Sequence, residues 1–252
     1  MSTLNKIIEV SNLVKNYGDR QILKNISFSI QKGEFISIIG ESGAGKSTLM
    51  RCLNGLEEIN SGSIKFYDKE IATLKEKEKN LIKRQMAFVF QDFSIIDNLY
   101  VIENVLLPFL ARKNFLQVLI NSYSKQEYER AMYCLEKVGL VKLAYTKAKY
   151  LSGGEKQRVA IARALAPNVD LILADEPISS LDEKNAQQIM EIFKRINSKK
   201  NKTIILNLHN VELAKKFSDK ILALKNGEIL FFKESEKVKE DDIREVYKTE
   251  KN

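Results

Sequence analysis

Residues 34–56 read EFISIIGESGAGKSTLMRCLNGL. The run Phe35–Ile39 is short, apolar and rich in β-branched residues, as a buried strand requires. It stops at Gly40. GESGAGKS then matches G-x-x-x-x-G-K-[ST], and STLMRCLNGL has the spacing of a helix. Gly40, Gly43 and Gly45 let the loop curl so that successive backbone N–H groups face one anion, and the helix that follows points its positive end there. Glu41, Ser42, Ala44 and Thr48 complete the loop's lining. Lys46 can reach the β- and γ-phosphates of a nucleoside triphosphate, and Ser47 can offer its hydroxyl to Mg2+. The stretch therefore predicts a strand, a phosphate-binding loop and a helix.

A second signal lies at residues 171–176, LILADE. Four apolar residues ending in two acids read as a central parallel strand, and ligands gather at the carboxyl edge of such sheets. Asp175 can hold Mg2+ through its water, while Glu176 can accept a proton from an attacking water or orient it.

Composition bounds what surrounds these signals. A chain of 252 residues with 44% hydrophobic residues can bury a sizeable core as one large domain. Lys and Arg outnumber Asp and Glu by 41 to 33, a net charge of +8. The basic residues are interleaved with acids, as in KEKEKNLIKR and KESEKVKEDDIREVYKTE, which suggests solvated helical faces rather than a nucleic-acid groove. The longest apolar candidate, NVLLPFLARKNFLQVLI, is broken by Arg112 and Lys113, so no membrane span is expected. No apolar stretch of signal-peptide length opens the chain. Cys52 and Cys134 are too few and too far apart for a disulfide framework or a metal site, and are expected to be reduced and partly buried.

Between the two signals stands LSGGEKQRVAIARAL, residues 151–165. Ser152, Gly153 and Gly154 precede a helical pattern, which makes a second half-site for an anion. This stretch resembles the signature motif of ATP-binding-cassette (ABC) ATPases, and the resemblance extends over roughly residues 6–248. It implies the α/β fold of that P-loop family: a parallel core sheet, an antiparallel β subdomain, and a helical subdomain inserted at about 92–150. By the same resemblance, the whole of 1–252 is one nucleotide-binding domain.

The resemblance also distributes roles. Tyr17, in VKNYGDRQIL, matches the aromatic residue that stacks on adenine. Gln91, in MAFVFQDF, matches the glutamine that touches Mg2+ and senses the membrane partner. Ser152, Gly153, Gly154 and Glu155 would face the phosphate loop of a second copy, so that two ATPs are sandwiched in a homodimer. Asp182, in ISSLDEKNA, matches the loop that communicates across that dimer. His209, the chain's only histidine, matches the switch histidine that contacts the γ-phosphate beside the base Glu176. Phe93, Ile95, Ile96, Leu99 and Tyr100 are candidates to receive a short helix of a membrane permease.

Within the family, residues 109–165, LADEPISSLD, NLHNVELAKKFSDKILALKNGEILF and EDDIREVYK resemble phosphonate-importer ATPases. Asn207-Leu208-His209 is the most telling string, because most relatives carry Thr or Ser before the histidine. Glu155 departs from the glutamine usual in this subgroup. The resemblance implies integral permease subunits, an extracytoplasmic substrate-binding protein, a peripheral place on the cytoplasmic face of the membrane, and no nucleic-acid partner. The rival reading is the ATPase of an exporter, lipoprotein-release or cell-division complex. A soluble cassette protein acting on nucleic acid would be expected to carry two cassettes or a long coiled coil, and a small-molecule kinase would leave LSGGEKQR unexplained.

Overall fold

The computed structural model describes residues 6–111, 113 and 123–248. The chain opens with two long antiparallel strands, β1 (Lys6–Tyr17) and β2 (Arg20–Gln31). β3 (Phe35–Ile39) runs into the phosphate loop and α1 (Lys46–Leu53). β4 (Ser61–Phe66), β5 (Lys69–Glu70) and α2 (Glu76–Lys83) follow, then β6 (Met86–Val89). Next come α3 (Val101–Leu110), α4 (Lys125–Lys137) and α5 (Gly153–Leu165). The last third alternates β7 (Leu171–Asp175), α6 (Glu183–Lys200), β8 (Thr203–Asn207) and α7 (Val211–Phe217). It closes with β9 (Lys220–Lys225), β10 (Glu228–Glu234) and α8 (Glu240–Val246).

The central sheet has the order β10-β9-β3-β8-β7-β6. Pairing is parallel except between β9 and β10. The two strands read from the sequence, Phe35–Ile39 and the apolar run that ends at Asp175, are both present. Two more join the edge beside β3, because Asn226 and Gly227 both adopt positive φ (49° and 81°) and turn the chain in a tight hairpin. The second sheet, β2-β1-β4-β5, is antiparallel. β1 and β2 bend through bulges where Asn12 and Asn25 adopt positive φ.

Why the core strands read as unbroken apolar runs is visible in how their side chains divide. Ile36, Ile38, Leu171, Leu173, Ile205, Leu222 and Leu224 face a core shared with the antiparallel sheet and α1. Phe35, Ile39, Ile172, Ala174, Ile204, Leu206, Ile221 and Ala223 face a second core built with the helices. Period-two alternation thus serves two buried faces at once. Val101, Val105, Ala131, Leu135, Val159 and Ala162 extend the helical core through α3, α4 and α5. Two of these helices start from reciprocal caps. Ser124 Oγ accepts from Glu127 N–H and Glu127 accepts from Ser124 N–H; Ser152 and Glu155 repeat the arrangement.

Cys52 and Cys134 form no disulfide and are buried, more deeply than the sequence suggested. Burial pushes the Cys52 thiol up to about 11, so it is a packing residue rather than a nucleophile. Most of α2 is exposed, as its mixed charge predicts. The end of NVLLPFLARKNFLQVLI lies outside the described residues. No described helix is long and apolar enough to cross a membrane.

Candidate functional site

Glycine is required at two corners of the phosphate loop. A Cβ on Gly40 would collide with the Leu224 carbonyl oxygen of β9. Gly45 has φ +99° and caps α1, and a Cβ there would lie 2.8 Å from Leu23 Cδ2. Gly45→Ala should therefore lose nucleotide binding, since φ > 0 and the close approach both exclude a side chain; equilibrium binding of a fluorescent ATP analogue checks this.

The loop is braced by its own hydrogen bonds. Lys46 is 4% exposed, and its Nζ donates to the carbonyl oxygens of Gly40 and Glu41, both at 2.9 Å. Burial lowers the pKa of this ammonium, while Glu176 and Asp175 pull it back up. Ala44 N–H closes a turn onto Glu41 O at 3.2 Å. Ser42 and Gly43 are exposed at the loop tip, whereas Ala44 and Gly45 are buried. Ser47 and Thr48 stand partly exposed on the first turn of α1, whose free N–H groups favour an anion.

The carboxyl ends of β7 and β8 bring the acids to this loop. Ser47 Oγ donates to Asp175 Oδ1 at 2.9 Å, and Asn207 Nδ2 donates to the same oxygen at 2.7 Å. One residue on, His209 Nε2 and Glu176 Oε1 lie 2.7 Å apart. Glu176 adopts φ +48° just past the end of β7. It is largely shielded, while His209 is about half exposed. Glu176, Asn207 and His209 border a cavity of about 620 Å³ that also reaches Ser179, Gln187 and Leu213. Phosphate loop, Ser47, Asp175, Glu176 and His209 thus form one constellation, held by side chains far apart in sequence.

Among the described residues, no side-chain hydrogen bond joins the other candidates to it. Tyr17 ends β1 with 45% of its surface exposed, the Lys15 ammonium 4.9 Å from its ring centroid. Lys15 itself is buried, donating to Glu58 O at 2.7 Å and pairing with Glu57 at 3.2 Å. It ties the tip of β1 to the segment after α1, a role not visible in an alternating strand pattern. Gln91 is exposed in the turn after β6. Ser152 bonds with Glu155, and no side-chain hydrogen bond joins 152–155 to the phosphate loop among the described residues. A Cβ on Gly154 would meet Asn185 Oδ1 at 3.1 Å, and Asn185 is held by Asp182, the cap of α6. The Asn185 backbone N–H bonded to it keeps the Asp182 carboxyl below the usual carboxylate range. The signature helix and the Asp182 loop therefore meet at their N-termini. Arg163, further along α5, donates to the Phe93 and Ser94 carbonyl oxygens of the loop after Gln91. Among the permease-contact candidates, Ile96 and Tyr100 are exposed, while Phe93, Ile95 and Leu99 are partly buried.

A phosphate loop at the end of a parallel strand, facing an Asp-Glu pair and a histidine, defines a nucleotide-hydrolysing P-loop protein. The comparisons narrow the class. The ABC transporter family model matches residues 23–179. The chain is 84% identical over 243 residues to the phosphonates import ATP-binding protein PhnC of Fusobacterium nucleatum subsp. nucleatum, covering 96% of this chain and 98% of that one. It is 41% identical to the PhnC of Lactococcus lactis subsp. lactis, covering 97% and 100%. Among solved structures it superposes with a TM-score of 0.79 and 35% identity on the ATP-binding cassette MJ0796 in a dimeric post-hydrolysis state bound to ADP and Pi, covering 90% of this chain and 98% of that one. The chain belongs to the ABC transporter family, as an ATP-binding and ATP-hydrolysing cassette.

Proposed function

We propose that this chain is the ATPase subunit of a bacterial importer of phosphonate type, which dimerises on ATP and thereby moves a membrane permease. The observation that carries the reading is the paired geometry at the sheet edge, Asp175 with Ser47 and Glu176 with His209, in a chain 84% identical to a phosphonates import ATP-binding protein.

The phosphates of ATP would lie in the loop over the N-terminus of α1, with Lys46 released from the Gly40 and Glu41 carbonyl oxygens to the β- and γ-phosphates. Tyr17 would stack on adenine. The Ser47 hydroxyl and the Asp175 carboxylate are hard oxygen donors bonded to each other at 2.9 Å. No cluster of three or more His, Cys, Asp or Glu suited to a metal occurs among the described residues. That donor set fits Mg2+, which takes few protein ligands and completes its shell with phosphates and water; Gln91 would join it. When bound, the ion offsets the charge of the β- and γ-phosphates and aligns them. Glu176 accepts the proton of the attacking water, and His209 donates to a γ-phosphate oxygen and holds that water in line. The bond to the leaving β-phosphate oxygen breaks, giving ADP and phosphate.

Ser152, Gly153, Gly154 and Glu155 of a second copy would close over each ATP, with Asp182 beside them. A two-fold dimer makes both composite sites at once. Hydrolysis removes the γ-phosphate bridge and lets the dimer reopen. Permease subunits would dock near Gln91, Ile96 and Tyr100 at the cytoplasmic face, and an extracytoplasmic binding protein would choose the cargo. Gentle affinity purification of the tagged chain from membranes, with partners identified by mass spectrometry, tests the reading. A multi-span permease together with an exported binding protein is expected. A membrane partner with a large extracytoplasmic domain and no binding protein would overturn import, and ribosomes or DNA in their place would overturn transport.

A further inference from the structure

We propose that Asn207 is a positioning residue that fixes the Asp175 carboxylate against Ser47 for the divalent cation, an inference that rests on the metal reading of Ser47 and Asp175 given above. Asn207 ends β8, the strand between β3 and β7, and is 0% exposed. The other residues of that strand, Thr203, Ile204, Ile205 and Leu206, are also buried. An amide at this place is costly unless paired, and only one end of it is: Nδ2 donates to Asp175 Oδ1 at 2.7 Å, while Oδ1 makes no hydrogen bond. A near-isosteric leucine would suit the core better. The residue therefore answers to a demand other than stability.

That demand can be read from the register. Asn207 is the direct strand partner of Asp175 across β7 and β8, and of Ile38 across β3 and β8. It sits between the strand that feeds the phosphate loop and the strand that carries the acid. A carboxylate only accepts, so its Oδ1 receives Ser47 Oγ–H from one side and the Asn207 amide from the other. A hydroxyl that donates its proton to Asp175 keeps its lone pairs for a cation. A carboxylate held by two donors has a fixed rotation and presents its second oxygen in one direction. The next residues repeat the pairing: Glu176 meets His209, and Leu208 between Asn207 and His209 is buried, with its N–H on Ile38 O at 2.9 Å. One short segment thus delivers a donor to the metal-holding acid and a histidine to the base. Partners of metal-holding groups commonly change metal affinity or activity by about 10–100-fold when removed.

The test uses the full chain and Mn2+ as the probe, reading free Mn2+ by electron paramagnetic resonance in the presence of ADP. Asn207→Leu should weaken Mn2+ binding by about tenfold or more. It should leave ADP affinity in excess EDTA unchanged and the thermal midpoint no lower than that of the parent. Asn207→Ser, too short to span the contact, should show the same loss of Mn2+ affinity and serves if the leucine variant does not fold. In an Asp175→Asn background, Asn207→Leu should add little, because the group it positions has lost its charge. Parental Mn2+ affinity in both Asn207 variants, with Asp175→Asn clearly weakened, would overturn the inference alone. So would an equal loss from Asn207→Leu in both backgrounds. Unweakened Mn2+ binding in Asp175→Asn would overturn the metal reading and the inference together.

Discussion

Glu176→Gln should slow ATP hydrolysis by about 10²–10⁴-fold, the usual span of general acid–base catalysis, while ATP still binds. The substitution keeps the size of the side chain and removes its ability to take a proton. Glu176 stands just past the end of β7 with φ +48°, a conformation that turns its carboxylate away from the strand and toward His209, 2.7 Å away. The hydrogen bonds that place Lys46 in the phosphate loop do not involve Glu176, so the loop is not disturbed. Single-turnover hydrolysis of labelled ATP, read beside binding of the same nucleotide, separates the two effects. Turnover within a few-fold of the parent would remove Glu176 from the role of base.

His209→Ala is expected to retain ATP binding and lose about 10²-fold or more in turnover, the scale on which a misplaced reacting group costs rate. The imidazole is about half exposed, with its Nε2 against the Glu176 carboxylate. Its removal opens no core cavity, so the thermal midpoint should stay close to that of the parent. Steady-state kinetics should show the loss in kcat with KM little changed, because the contact matters once the γ-phosphate and water are being aligned. Unchanged kcat would return the chain's lone histidine to an ordinary surface residue.

The phosphate loop was legible because its chemistry is local. Glycines, a lysine and a serine within eight residues dictate a loop between strand and helix. The helix start at Ser152 was legible for the same reason, whereas its reciprocal cap with Glu155 was not read. What sequence could not supply was register. Asp175 and Asn207 are 32 positions apart and meet only because β7 and β8 pair in parallel with those residues opposite; the one hint is an amide ending the apolar run TIILN. Lys15 reaches Glu58 across 43 positions, and nothing in the alternation of β1 announces it. β4 and β5 were missed where Gly62 and the serines dilute the apolar signal, although Tyr67 and Asp68 at φ 46° and 62° make the kind of turn that joins two strands. The hairpin of β9 and β10 carried a plain Asn-Gly signal that would have extended the central sheet correctly.

In the proposed dimer each catalytic site is completed by a second copy of this chain. Among the described residues, Ser152 makes no side-chain hydrogen bond to its own phosphate loop, and a two-fold dimer would give Ser152, Gly153 and Gly154 a loop to face. The most direct measurement is the solution mass of the Glu176→Gln protein by sedimentation, without nucleotide and with ATP and Mg2+. Adding ATP should shift the mass from that of the 28.9 kDa chain to twice that value, and Gly45→Ala in the same protein should abolish the shift. A species that binds ATP and stays at the mass of one chain would contradict the proposed dimer.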